Sequence, residues 1–201
     1  MNNYQKGKQL IANSDFSLKK VKTFRGHDGD GVNADVYHNK KKIAEVDDDG
    51  WGGGLSIHYF DNGELTKAGG LKVPQIITDF LKTLPSFTRG EWYAANNFTG
   101  LDEDKKGEFD EWNIEDFFNE LIESVLERRE FKKLLRKVCG LKEVEGEKTI
   151  VSWKYRSSDL KKIYRTKNGV ATLSEILSKK GTKILNLLPE EEAFALLRKH
   201  A

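Results

Sequence analysis

The sequence predicts an α+β fold: an N-terminal antiparallel β-meander packed by helices, with a C-terminal mixed α/β part. Three observations predict it. Between residues 18 and 60, four short runs of strand character are joined by turn-rich segments. A single long apolar stripe at helical spacing follows from Ile114 to Leu126. Beyond it, short β-like and helix-like stretches alternate to the end of the chain.

Residues 1–15 are polar and weakly patterned, which fits a short helix or a loose arm. LKKVKTFRG then reads as a strand. In VNADVYHN, Val32, Ala34 and Val36 alternate with Asn33, Asp35 and Tyr37, so one face is core and the other solvent. A turn at Asn39–Lys41 leads into KIAEV, and LSIHYF alternates again. The period of two pins the register, because a slip of one residue would turn every side chain to the wrong face. VPQIITDFLKTLP reads as a short helix between prolines. Residues 86–112 read as an irregular loop rich in Gly, Asn and acids, and Asn113 with Asp116 as the start of the strongest helix. That helix carries Ile114, Phe117, Phe118, Leu121, Ile122, Val125 and Leu126 on one stripe, with Gly140 as its expected stop. KTIVSWKY then reads as a strand, LKKIYRT as a strand or short helix, and Thr172 with Glu175 as a capping box opening a helix. TKILNLL reads as a short strand, and Pro189 precedes a terminal helix. The expected organisation is 1–85, the meander with its following helix; 86–112, the loop; and 113–201, the helical and mixed part, whether separate or continuous with the first.

The single cysteine, Cys139, excludes an internal disulfide and suits a reducing compartment. No stretch has the form of a signal peptide or a membrane span, so a soluble, cytoplasmic protein without a membrane partner is expected. Charge is unevenly spread. Residues 101–130 hold four basic and twelve acidic side chains, whereas 131–201 hold seventeen basic and eight acidic. These segments can neutralise one another within the fold, or offer a cationic face to phosphates.

Two loops share an unusual recipe. GHDGDG (Gly26–Gly31) joins the first and second strands, and DDDGWGGG (Asp47–Gly54) the third and fourth. Successive turns of an up-and-down sheet alternate between its ends, so both loops belong at the same end and can form one surface. Glycines there serve turns, or bring bare backbone N–H groups to a ligand. The candidate ligand-binding set is Arg25, His27, Asn33, Trp51, Gly52, Gly53 and Gly54. In it Arg25 and His27 meet phosphate, Trp51 stacks on a base and the Gly52–Gly54 backbone closes around the ligand. Asp28, Asp30, Asp47, Asp48 and Asp49 oppose a phosphate unless they point away or a divalent cation intervenes.

No catalytic residues, metal ligands or cofactor are assigned. Neither acidic loop has the EF-hand spacing, and His27, His38, His58 and His200 lack compact zinc-ligand spacing with Cys139. Nucleophile-elbow, Walker A, zincin and Rossmann patterns are absent. Asp35 with Glu45–Asp47 suggests a nuclease-like acidic pair on adjacent strands, although an aspartate holds the position such sites give to lysine. WKYRSS (Trp153–Ser158) interleaves aromatic and basic residues, but strand alternation sends Trp153 to one face and Lys154 and Arg156 to the other.

TFRGHDGDGVNADVY followed by NKKKIAEVDDDGWGGG resembles a family of small bacteriophage-encoded proteins with the motif F-R-G-x-[DE]-G-x-G-x-N-A-x-[LV]-Y. Phe24, Arg25, Gly26, Asp28, Gly29, Gly31, Asn33, Ala34 and Tyr37 carry the first part. Lys41, Lys42, Ile43, Ala44, Gly52 and Gly53 carry the second, and together they cover about the first third of the chain. The resemblance implies a counter-defence role in the host cell and favours a binder over an enzyme. The expected function is a non-enzymatic protein that binds and sequesters a nucleotide-type immune signal. The alternatives are an inhibitor that docks on a host defence protein through the acidic 101–130 segment, and a nucleic-acid-binding protein that uses the basic C-terminal third.

Overall fold

The structure is a computed structural model, and it describes residues 1–201 except 62–63, 66–71, 145–146, 180 and 201. The chain forms two compact units, Met1–Val125 and Leu126–Ala201. The division falls inside the longest helix, Ile114–Leu134.

The first unit opens with α1 (Asn3–Ala12), capped by the Asn2 side chain on the Gln5 N–H. The meander follows: β1 (Phe16–Arg25), β2 (Asp30–His38), β3 (Lys41–Asp48) and β4 (Ser56–Asp61), each antiparallel to the last, with β5 (Glu64–Leu65) at the edge. Val32, Ala34 and Val36 are buried; Ala34 and Val36 pair with Val46 and Ala44, which in turn pair with Ile57 and Tyr59. The alternation thus selects the core face as read from the sequence. Asn39 and Lys40 both take positive φ between β2 and β3, the backbone twist that a tight hairpin requires.

Helix α2 (Gln75–Leu81), β6 (Phe87–Thr88), α3 (Arg89–Ala95) and β7 (Phe109–Asp110) follow, so the expected loop over 86–112 contains a capped helix and a short strand pair. Asn113 starts α4 (Ile114–Leu134) as the sequence indicates: its Oδ1 accepts from the Asp116 N–H at 2.8 Å. Phe117 and Phe118 are fully buried. Phe117 packs edge-on to Phe16 of β1 and Phe80 of α2, and Phe118 lies against Tyr59 of β4. A second knot ties α1 to the chain ahead of α4. Tyr4 stacks on Trp112 at 5.1 Å, donates to Glu120 Oε1 at 2.7 Å, and leaves Glu120 Oε2 to Lys8 at 3.0 Å.

In the second unit, α4 ends at Leu134 rather than at Gly140, and Lys137–Val144 is strand β8. Gly140 is not a helix stop. It lies in the central strand of a three-stranded sheet, where a Cβ would stand 2.6 Å from Thr182 and 3.3 Å from Trp153. Strand β9 (Glu147–Arg156) pairs with β8 on one side and β12 (Thr182–Ile184) pairs with it on the other. One face of this sheet carries Cys139 with Phe131, Leu185 and Ala193, under α4 and α6 (Glu190–His200). The other carries Val138 with Leu160, Leu173, Leu177 and Ile184. Trp153 and Tyr164 complete that second cluster, beneath the ribbon β10 (Ile163–Thr166)–β11 (Gly169–Thr172) and α5 (Leu173–Ser178). Cys139 is fully buried, and burial pushes its thiol up to about 11, which leaves it an inert apolar side chain.

The charged segments are extensively paired within each unit. Asp102 meets Lys105, Glu103 meets Lys106, and Arg89 holds Glu108 and Asp110. In the second unit Arg128 meets Glu191, Lys132 meets Glu190 and Lys183 meets Glu192.

Candidate functional site

The β1–β2 and β3–β4 loops meet at one end of the meander. The Gly26 N–H donates to Gly29 O at 2.7 Å and closes the first loop on itself. The Asp28 N–H donates to Gly50 O at 2.8 Å and joins it to the second. Two successive aspartates shape that second loop: Asp48 Oδ1 accepts from the Gly50 N–H at 2.8 Å and Asp49 Oδ1 from the Trp51 N–H at 2.9 Å. Such Asx turns are what short acidic side chains do before glycine. Gly50 and Gly52 take φ of +67° and +78°, a region that side chains with a Cβ rarely enter.

This scaffold presents an exposed aromatic pair. The His27 ring stacks on Trp51 with centroids 5.2 Å apart and planes 16° from parallel. Trp51 is 65% exposed. His27 Nδ1 lies 2.9 Å from Asp28 Oδ1, so the pair is braced from the side by a carboxylate. Asp28, Asp30 and Asp49 are exposed around it. Glu115, on the first turn of α4, brings a carboxylate oxygen to 3.1 Å from the place a Cβ on Gly54 would occupy.

The structure therefore brings together His27, Trp51 and Gly52, with Gly53 and Gly54 exposed beside them. Arg25 ends β1 opposite Asp30. Asn33 lies outside this group. It stands within β2 on the face away from the core, between Lys22 of β1 and Asp47 of β3. Phe24, which the sequence marks only as part of the motif, covers Gly31 with its ring, and Glu115 stands outside the candidate set altogether. Only the D-D-G-W spacing could have signalled the Asx turns, and nothing local announces Glu115.

Chemically, the site offers an aromatic surface and negative charge. The N–H groups of Gly26, Asp28, Gly50 and Trp51 already serve internal acceptors, so they do not form an anion nest. No group of three or more His, Cys, Asp or Glu suited to a metal ion occurs among the described residues, which do not include the His200 side chain. The acidic pair on adjacent strands is likewise occupied. Lys42 Nζ lies 2.7 Å from Asp35 Oδ1 and also contacts Glu45, while Lys20 reaches Asp35 Oδ2 at 2.9 Å. Ammonium groups thus stand where a nuclease-like site would hold its cation.

Comparison with known protein families, with curated proteins and with solved structures returns no match. Among the described residues, no helix is long and apolar enough to cross a membrane.

Proposed function

We propose that this chain is a non-enzymatic binding protein whose recognition element is the fused loop pair, with the His27–Trp51 stack entering an apolar, basic-rimmed pocket on a partner protein. The observation that carries this reading is the exposed, nearly parallel ring pair on a hydrogen-bonded double loop ringed by carboxylates. Tryptophan is enriched among residues that dominate binding energy, and pre-organised loops lose less entropy on docking. The carboxylates of Asp28, Asp30 and Asp49 would steer the approach toward a basic surface. The resemblance to phage-encoded proteins makes a host defence protein the partner class, met in the host cytoplasm.

A second reading keeps the same rings as a platform for the base of a nucleotide-type signal, with Arg25 toward its phosphate. The open outer face of Trp51 favours it; the surrounding carboxylates weigh against it. One experiment separates the two. Tagged wild type and Trp51→Ala are recovered from bacterial cells carrying defence systems, and both co-purifying proteins and heat-released small molecules are identified by mass spectrometry. A protein captured by wild type and lost with the variant supports docking. A nucleotide released from wild type alone supports the second reading. Identical profiles from the two proteins remove the loop pair as the functional site.

A further inference from the structure

We propose that the β10–β11 ribbon of the second unit is a DNA-binding element that lies in the major groove of a B-form duplex. This site is independent of the loop pair.

The ribbon is two-faced. Its register pairs Ile163 with Thr172, Tyr164 with Ala171, Arg165 with Val170 and Thr166 with Gly169. Tyr164 packs on the buried cluster of Val138, Leu160, Leu173, Leu177 and Ile184. The opposite face carries Ile163, Arg165 and Val170, and Ile163 and Val170 are 70% and 68% exposed. Two large aliphatic side chains left in water on either side of an arginine have no use in holding the ribbon to its own core.

Its charge is one-sided. Residues 160–172 contain four basic and no acidic side chains. Lys162 is held by Asp159. Among the described residues, no carboxylate forms an ion pair with Lys161, Arg165 or Lys167, although acids are paired elsewhere in this unit. The ribbon is also fixed at both ends. The Leu173 N–H donates to Lys162 O at 3.0 Å at its base. At its tip Thr166 Oγ1 donates to Gly169 O at 3.1 Å and accepts from the Asn168 N–H at 3.3 Å.

The chemistry of the exposed face selects the ligand. A B-form major groove, about 12 Å wide, admits a two-stranded ribbon. Arginine there pairs bidentately with guanine, and aliphatic or threonine methyls meet the thymine methyl. Lys161 and Lys167, at the base and tip, fall where phosphates flank the groove. A single strand would need exposed aromatic stacking surfaces, and the ribbon's tyrosine faces the core. The A-form major groove is too deep and narrow to be read in this way.

The test uses the full chain in fluorescence anisotropy against a labelled DNA duplex, the same sequence as duplex RNA, the single DNA strand, and polyglutamate, at low and physiological salt. Duplex DNA should bind best and weaken steeply with salt as counterions are released. Arg165→Ala should weaken duplex binding by roughly tenfold, of the order of one lost base contact. Lys167→Ala should lower the slope of log affinity against log salt by about one. Lys154→Ala, which alternation places on the opposite face of β9 from Trp153, should leave binding unchanged. Coincident thermal melts would show that the variants fold. Absence of duplex binding at low salt overturns the proposal. So does wild-type affinity in the Arg165 and Lys167 variants, or equally tight binding of duplex RNA or of polyglutamate, the last pointing to an acidic protein surface instead.

Discussion

Gly26 and Gly50 meet backbone to backbone: a Cβ added to Gly26 would stand 2.4 Å from Gly50 O and 2.6 Å from Gly50 Cα. The joint between the loops therefore depends on the absence of a side chain. Gly26→Ala forces the loops apart, and overpacking of this kind costs about 1–3 kcal/mol. Gly29, in the same loop, has open space around its Cβ position and no positive φ. Gly29→Ala should be close to neutral. Urea denaturation of the two variants checks the contrast, and equal stability would mean that the loops are not locked together.

The two best-placed tryptophans should respond in opposite ways to truncation. Trp51 is 65% exposed at a loop tip, so Trp51→Ala should shift stability by no more than about 0.5 kcal/mol. Trp112 is 6% exposed, stacks on Tyr4, and donates from Nε1 to Pro85 O at 3.1 Å. Its truncation should cost about 3–5 kcal/mol. If Trp51→Ala proves as damaging as Trp112→Ala, the ring is a structural plug and the docking proposal loses its anchor.

The meander and the meeting of its loops were legible in the sequence because period-two alternation and up-and-down topology are local properties. Val32, Ala34 and Val36 needed no partner to reveal their face. What decided β8 was not local. Residues 135–140 continue a helical run in composition, yet pairing of Lys137–Val144 with β9, and of Gly140–Lys142 with β12, makes a strand from Lys137 onward, and Gly140 serves close packing rather than termination. The ribbon was ambiguous for a related reason: a four-residue strand is too short for its period to be told from a helical turn. At the site, the sequence puts His27 and Trp51 on one surface but gives them different roles, phosphate for the imidazole and a base for the indole. Their stack depends on two Asx turns and on a contact between residues more than twenty positions apart, which no single segment encodes.

Tyr4 and Glu120 form a buried hydrogen bond whose loss should depend on pH. Burial raises the Glu120 carboxyl above its usual range, against the lowering pull of Tyr4 and Lys8. Tyr4→Phe removes a donor from a carboxylate that is 8% exposed, which costs about 1–3 kcal/mol. A raised carboxyl contributes stability that is present below its unfolded value and lost as pH rises through its folded value. The variant's deficit should therefore be larger at neutral pH than in mild acid, where Glu120 takes up its proton. A deficit that grows on acidification would exclude the carboxylate as its source.

Asp35 has the opposite sign. It is 6% exposed on the solvent face of the meander. Burial pushes its carboxyl up, but hydrogen bonding and charge from Lys42 and Lys20 outweigh this and hold it below the usual carboxylate range. A lowered carboxyl contributes stability that is complete above its unfolded value and lost as pH falls through its folded value. That window lies below about pH 4, the ordinary aspartate value. Lys42 supplies the alkaline counterpart. Burial pulls its ammonium down, but Asp35 and Glu45 outweigh this and raise it, so its contribution is lost only as pH climbs through that raised value. Asp35→Asn should then cost about 1–3 kcal/mol at neutral pH, as expected for hydrogen bonds to a charged group. Lys42→Met should cost a comparable amount. Lys20→Ala should cost less, because Lys20 holds its end of the pair from a side chain that is 74% exposed. Urea melts of wild type and Asp35→Asn should converge as the solution is taken below about pH 4. A gap that stays constant would mean that the substituted amide fails by packing and that the ammonium pair contributes nothing to the sheet.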